Sequence, residues 1–423
     1  MGKKIIIVFC ILYFFIGSIN SWETLNNLNN KFFKNKLIEK VTNKIIAYEM
    51  TSDSLVYGRI LNDYFNINNN KFLQGKNIEL ISLESKINQN SLNEYFFHKK
   101  ELSQSLYTQQ FGFQGNIYSF IYKKLNIKKI NFLYNINTLL LVIMIFFFLN
   151  YILLELGTFS MVLAGLSLIL YPTLLLISKS MYWIIWITYL PIFATMYLIK
   201  SNRGIKWYFY SSFVLVLLKC LCGYELISTI LVNMELPIIY YGLKNYKERK
   251  ENIKKFIFSF LGGILGFVVA VLSHLLRLYK LTNNFQKAKF LFLFPIKYRT
   301  NFFYDIEFLN KIQPELKESL NISNIKIIVK YLLEPRLIPI ILILIIYIYI
   351  SLQDLKKKKN IEIIFIIYLS LLGVFSWLIL AKGHAYTTLH IVYLLWNIPF
   401  LFLTFAYFGK KIEEFFIIRR RVK

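Results

Sequence analysis

Four groups of residues in this sequence carry side chains that could do chemistry. The first runs Thr51-Ser52-Asp53-Ser54-Leu55-Val56-Tyr57-Gly58-Arg59. A carboxylate can take a hydroxyl proton when its pKa and placement suit, so Asp53 is a candidate general base. Tyr57 and Arg59 are its candidate partners at an acceptor. The same pattern has a structural reading, because Ser52 or Asp53 would cap a helix starting near Ser54. The second group, from Glu94 to Tyr118, mixes rings with amides. It reads as interfacial helices, with Gln110 and Gln114 as candidate acceptor or interface contacts. The third joins two tight turns, Ser178-Lys179-Ser180-Met181-Tyr182-Trp183 and Cys222-Gly223-Tyr224-Glu225. Tyr182 is a candidate contact there. Glu225 is either a second acidic site residue or a carboxylate that complements a helix dipole. Glu235 lies deeper in the same apolar run. A lone buried carboxylate is costly, so it is either neutral and hydrogen-bonded or paired to a cation. The fourth group is Ala381-Lys382-Gly383-His384-Ala385-Tyr386. Lys382 and His384 suit a phosphate through charge-assisted hydrogen bonds, with Tyr386 beside them. Arg277, Lys280, Lys297, Arg299 and Arg336 fall at the ends of neighbouring apolar runs. Each could snorkel to an interface or add to the same anion site.

The elements that must position these residues are membrane helices. The chain has 423 residues, 50 Lys+Arg against 23 Asp+Glu, a formal net charge of +27, 56% hydrophobic residues and 17% charged residues. An ordinary soluble domain is less apolar and carries about a quarter charged residues. A nucleic-acid binder would gather its basic residues on one soluble face. Here they stand in short blocks between apolar runs, which is the mark of membrane topology. Cys10, Cys220 and Cys222 all lie in or beside apolar runs and form no disulfide or zinc pattern.

A first span at about 5–19 follows Met-Gly-Lys-Lys; it fits a cleaved signal peptide or an uncleaved anchor, and the anchor is the preferred reading. Nine more follow at about 136–154, 157–177, 180–199, 207–223, 225–242, 257–277, 335–352, 362–381 and 388–408. With the N-terminus inside, the short inside loops hold nearly all the Lys and Arg, while the short outside loops hold only Lys179 and Lys382. The expected fold is therefore an all-α polytopic membrane protein of about ten helices with both ends cytoplasmic. Its parts are an anchor (1–20), a large extracytoplasmic loop with interfacial helices (21–135), and spans two to seven (136–277). A second outer loop (278–334), spans eight to ten (335–408) and a basic cytoplasmic tail (409–423) complete it. No GxGxxG, P-loop, HExxH or GxSxG motif occurs in either long loop.

In this order the clusters resemble the GT-C superfamily of integral-membrane glycosyltransferases. The likeness rests on the N-terminal span, the large first outer loop with an acidic residue, and the following bundle, over nearly the whole chain. Locally it rests on Tyr107-Thr108-Gln109-Gln110-Phe111-Gly112-Phe113-Gln114-Gly115, Ser180-Met181-Tyr182-Trp183 and Lys382-Gly383-His384-Ala385-Tyr386, which look like segments of uncharacterised bacterial members. The resemblance implies a polyprenyl-phosphate sugar as donor and a glycan, lipid or protein as acceptor, at the outer face of a bacterial cytoplasmic membrane. It implies Asp53 as base and Glu225 as a second acidic residue, with Lys382, His384, Arg277 and Arg336 on the donor phosphate. The resemblance names no obligatory cofactor, and magnesium or manganese could assist. One departure is the position of Asp53, about thirty residues beyond the first span, where Glu23 and Glu49 are nearer.

Other classes remain open. An O-antigen-type polymerase or ligase also has many spans, but usually places its largest outer loop late. A lipid-linked-glycan transporter or flippase would show internal repeats; none is seen, and Glu235 alone favours it. A membrane acyltransferase with His384 as base, or a non-catalytic receptor or scaffold, completes the set.

Overall fold

In the computed structural model the described residues are 2–18, 53, 56, 59, 60, 76–78, 104–106, 108–125, 131–171, 173–300, 329, 338–387 and 394–422. They are almost wholly helical. Helix α1 (Gly2–Ser18) opens the chain, and a short antiparallel ribbon, β1 (Lys76–Ile78) with β2 (Gln104–Leu106), follows. Then come α2 (Phe113–Lys124), α3 (Asn131–Leu156), α4 (Thr158–Leu170), a single turn at Thr173–Leu176, α5 (Ile185–Lys200) and α6 (Ile205–Cys222). The middle of the chain forms α7 (Ile227–Asn233), α8 (Leu236–Lys244), α9 (Arg249–Thr282) and α10 (Phe285–Thr300). The last part forms α11 (Ile338–Lys356), α12 (Ile361–Leu380), the short α13 (Lys382–Thr387), a π-helical turn at Asn397–Leu401 and α14 (Phe402–Val422).

Among the described residues, five helices are long and apolar enough to cross a bilayer: Phe132–Leu156, Ile205–Cys222, Tyr246–Thr282, Ile338–Lys356 and Ile361–Leu380. Helices α4 and α5 are shorter and also apolar. The set is consistent with a multi-pass membrane protein, because a backbone in hydrocarbon must satisfy its own polar groups and helices do so. Large apolar side chains such as Val8, Leu154, Leu272 and Tyr349 point outward, as lipid-facing residues do.

Three local features add to the hydropathy pattern. The run at 225–242 is two helices, since Pro237 at the start of α8 cannot donate the hydrogen bond that would continue α7. The stretch after 277 carries helix: α9 runs on to Thr282, and α10 packs back against both α9 and α13. The mixed segment around 76–106 contributes a strand pair that hydropathy alone did not signal.

Helices α6 and α9 share the most extensive interface in the bundle. Glycine explains how close they come. A Cβ at Gly266 would meet the Phe213 carbonyl and sit 3.0 Å from the Leu217 nitrogen, and one at Gly262 would run into the Phe209 carbonyl. This small-xxx-small spacing lets two membrane helices touch backbone to backbone. Backbone cannot step aside as a side chain can, so Gly266→Ala should destabilise the bundle by about 1–3 kcal/mol. A thermal midpoint in detergent that stays at the wild-type value would refute this account of the interface.

Side-chain contacts sort the helix ends into two groups. At one end, Thr138 of α3 bonds Ser178 at 3.1 Å and the Gly17 carbonyl of α1 at 3.5 Å. At the other, Glu155 of α3 holds Lys200 at 2.9 Å and Lys244 at 2.8 Å, and Asp354 of α11 holds Lys411 of α14 at 2.8 Å. The candidate site lies at the first end.

Candidate functional site

The turn between the single helical turn at Thr173–Leu176 and α5 is fixed from beneath by α3. Asn137 donates to the carbonyls of Lys179 (3.2 Å) and Ser180 (3.1 Å). Its own carbonyl oxygen accepts from Trp186 Nε1 at 3.0 Å and from the Tyr118 hydroxyl of α2. Ile184, at the entrance of α5, is held in the left-handed region at φ 39° although it is β-branched. Such a conformation costs of order 1–3 kcal/mol and persists only where surrounding contacts impose it.

This turn receives Asp53. Ser180 Oγ donates to Asp53 Oδ1 at 2.8 Å, and the Tyr182 backbone N–H donates to the same oxygen at 3.0 Å. Asp53 is therefore not a helix cap, as one sequence reading had it. It is itself helical and spends its carboxylate on a distant turn. Burial raises its pKa and the hydrogen bonds lower it; burial wins, and the group is pushed up to about 7. A carboxylate poised there exchanges protons near neutral pH.

The next joint, between α6 and α7, carries Glu225. It does not begin a helix: it stands in the turn before α7, where Leu226 is also left-handed at φ 63°. Glu225 Oε1 accepts from Arg299 Nη1 at 3.2 Å, from Gln110 Nε2, and from the Tyr182 hydroxyl at 3.4 Å. Gln110 Nε2 also reaches the Tyr182 hydroxyl at 2.7 Å. Lys219, buried in the last turn of α6, donates to the Gly223 carbonyl at 3.0 Å. Arg299, Lys219 and His384 are close enough to act electrostatically on the Glu225 carboxylate. A Cβ on Gly223 would collide with Glu225 and Gln110, so glycine is what lets this joint close.

Tyr182 thus bridges the two acids, with its backbone on Asp53 and its hydroxyl on Glu225. Of the residues expected from sequence, Asp53, Gln110, Tyr182, Glu225 and His384 come together here. His384 is buried against Trp377, ring centroids 5.8 Å apart. Lys382 opens the same short helix and is partly exposed. Gln114 is wholly buried in the first turn of α2. Arg59 and Arg277 are buried, and Arg59 lies close enough to act on Arg277 as a like charge. Tyr386 lies in α13. Tyr57 and Arg336 lie outside the described residues.

Sequence reasoning missed Lys219 and undervalued Arg299. A lysine inside the apolar run Val214-Leu215-Val216-Leu217-Leu218-Lys219-Cys220 was a signal, since an ionisable residue within a membrane helix needs a partner. Nothing in sequence pairs Arg299 with Glu225. His274 was also missed: its ring stacks on Tyr224 at 5.9 Å, and its Nε2 lies 3.1 Å from the Thr108 carbonyl.

Beside the acids a cavity of about 210 Å³ opens between α9, α10 and α12. Its walls are mostly apolar, including Phe267, Val271, Phe292 and Leu380, and Arg299 and Gln109 stand at its polar edge. Arg299 Nη2 meets Gln109 at 3.3 Å. The described residues contain no group of three or more His, Cys, Asp or Glu able to hold a metal ion. Glu225 Oε1 faces the Arg299 guanidinium, which disfavours a divalent ion at that oxygen. Compared with known proteins, the chain matches no family model, no curated protein and no solved structure.

Proposed function

We propose that this chain is a membrane glycosyltransferase that moves a sugar from a polyprenyl-phosphate donor to an acceptor hydroxyl. One observation carries the reading. A base-competent acid, Asp53, and a cation-bound acid, Glu225, are tied through Tyr182 beside an apolar cavity edged by Arg299. A lipid-linked phosphate needs that combination: hydrocarbon walls for its tail, cations for its phosphate, and a base within reach of the sugar.

On this reading the helices make ten passages, with α7 and α8 forming one broken passage. Both chain ends are cytoplasmic, and the Asp53 end faces outward, as the lysine and arginine distribution favours. A bacterial cytoplasmic membrane is the proposed site. The donor tail lies in the cavity, and Arg299, His384 and Lys382 meet its phosphate. The acceptor oxygen attacks the anomeric carbon as Asp53 takes its proton. The carbon–oxygen bond to phosphate breaks, and the lipid phosphate departs with its charge met by the cations. Direct displacement inverts the anomeric centre.

The test is sugar transfer or release from a panel of polyprenyl-phosphate sugars by purified protein in lipid. Turnover with one donor is the expected result. A folded protein that turns over no donor, with or without a panel of glycan, lipid and peptide acceptors, would sink the reading. A transporter would then move ahead, on the strength of Glu235. That residue is buried at the break between α7 and α8, near Ser259 of α9, with no ion pair among the described residues.

A further inference from the structure

The geometry points to a lipid site at the Glu155 end of the bundle, away from the two acids. It takes one acyl chain of an anionic phospholipid and holds the phosphate on Lys200 and Lys244. A narrow cavity of about 60 Å³ lies there between α3, α5, α8, α12 and the start of α14. Phe148, Ile152, Met196, Ile366 and Phe402 make its wall almost wholly hydrocarbon. Such a wall gives a polar ligand nothing to bond and suits an alkyl chain.

The edge of the cavity is cationic. Lys200 Nζ lies 2.9 Å from one oxygen of Glu155, and Lys244 Nζ lies 2.8 Å from the other. Glu155 lines the cavity, and so do Tyr151 and Tyr240. The Lys200 ammonium stands 4.9 Å from the centre of the Tyr151 ring, and that of Lys244 stands 5.7 Å from the Tyr240 ring. Two ammoniums thus face one carboxylate, which leaves a net positive charge. Each ammonium has three donors, and the carboxylate takes one from each. The lysine side chains are 36% and 46% exposed, so a further anion can reach them.

Depth decides what that anion is attached to. Lys200 ends α5 and Lys244 ends α8. Met196 and Tyr240, in the cavity wall, stand four residues back on the same two helices, about 6 Å deeper at the helical rise. Beyond the lysines come exposed Arg203, Lys206 and Lys247, together with exposed Trp207 and Tyr246. Basic and aromatic side chains gathered in this way mark the headgroup level of a bilayer. The lysines therefore meet lipid phosphates, and the cavity below them meets acyl chains. The lysine and arginine distribution puts this end in the cytoplasm, where the leaflet surface is negative. Hydrocarbon below and cations above describe one molecule, a phospholipid with an anionic head.

The experiment reads lipid binding and not sugar transfer. Full-length protein in maltoside micelles is titrated with phosphatidylglycerol, or with phosphatidylcholine of the same chains, and native mass spectrometry gives the affinity of the first bound lipid. Phosphatidylglycerol should bind at least fivefold more tightly. A basic residue at a membrane surface contributes about 1 kcal/mol, which is about fivefold. Lys244→Gln should therefore weaken phosphatidylglycerol about fivefold and leave phosphatidylcholine unchanged. Met196→Trp fills the cavity without removing a charge and should weaken phosphatidylglycerol at least tenfold. Lys244 is half exposed, so Lys244→Gln decides the matter if the tryptophan variant does not fold. Equal affinity for the two lipids would overturn the site, and so would phosphatidylglycerol affinity unchanged in the folded variants. A polyprenyl phosphate that displaces phosphatidylglycerol, and itself binds less well to Met196→Trp, would give the cavity to that lipid instead. A dimer lost in Met196→Trp would give it to a second copy of the chain; either result overturns the phospholipid assignment. Failure here leaves the glycosyltransferase reading untouched, and failure of that reading leaves this site standing.

Discussion

Asp53→Asn should abolish sugar transfer while leaving the protein folded. An asparagine oxygen can still accept from Ser180 Oγ and the Tyr182 N–H, the two bonds that seat Asp53 at 2.8 and 3.0 Å. What it cannot do is take a proton. Loss of a general base typically costs about 10²–10⁴-fold in rate. The wild-type rate should rise with pH through about 7, where burial has pushed this carboxyl, because only the ionised form accepts a proton. The sign for stability is opposite. A pKa raised by folding means that the folded state binds the proton more tightly than the unfolded chain. That contribution is present in full at acidic pH, shrinks as pH rises from the ordinary carboxylate range, and is gone above about 7. Asp53→Asn should flatten this part of the pH–stability curve. A variant with wild-type turnover and a wild-type thermal midpoint would remove Asp53 from the chemistry. A variant that loses activity and also unfolds would mark it as structural.

The sequence made the membrane character legible, because hydrophobic runs report solvent environment directly and α3, α6, α9, α11 and α12 each carry such a run intact. It was less informative where the chain breaks its own pattern. Pro237 divides one apolar run into α7 and α8, and the polar, ring-rich segment at 285–300 is a helix, whose end delivers Arg299 to Glu225. The polar clusters could be found because polar groups among apolar ones need a reason, but their partners could not. Ser180 lies 127 positions from Asp53, Gln110 lies 115 from Glu225, and both pairs form only once the bundle assembles. Local patterns therefore left Asp53 readable as a cap as well as a base. They also could not show that Arg59 is a charged neighbour of Arg277. Spacing along one helix says what shares a face; it does not say which other helix that face will meet.

Breaking the Glu225–Arg299 pair should cost more stability than removing both of its members. The two side chains are only 4% and 14% exposed, with Nη1 3.2 Å from Oε1. Arg299→Gln leaves a buried carboxylate whose remaining partners are Gln110, Tyr182 and the nearby charge of Lys219. Removing one member of a buried pair typically costs about 3–5 kcal/mol, since the survivor keeps its desolvation penalty without its counter-charge. Glu225→Gln should cost less, because Arg299 borders the cavity and can turn toward water while keeping Gln109. In the double variant neither charge is stranded, so its midpoint should recover toward wild type, with a coupling of about 1–3 kcal/mol in the double-mutant cycle. Activity behaves differently. If Arg299 meets the donor phosphate, transfer should fall in Arg299→Gln and stay low in the double variant despite its recovered stability. Simple additivity of the two midpoints would show that the pair is not energetically coupled. Transfer that returns together with stability would show that Arg299 acts only by holding Glu225 in place.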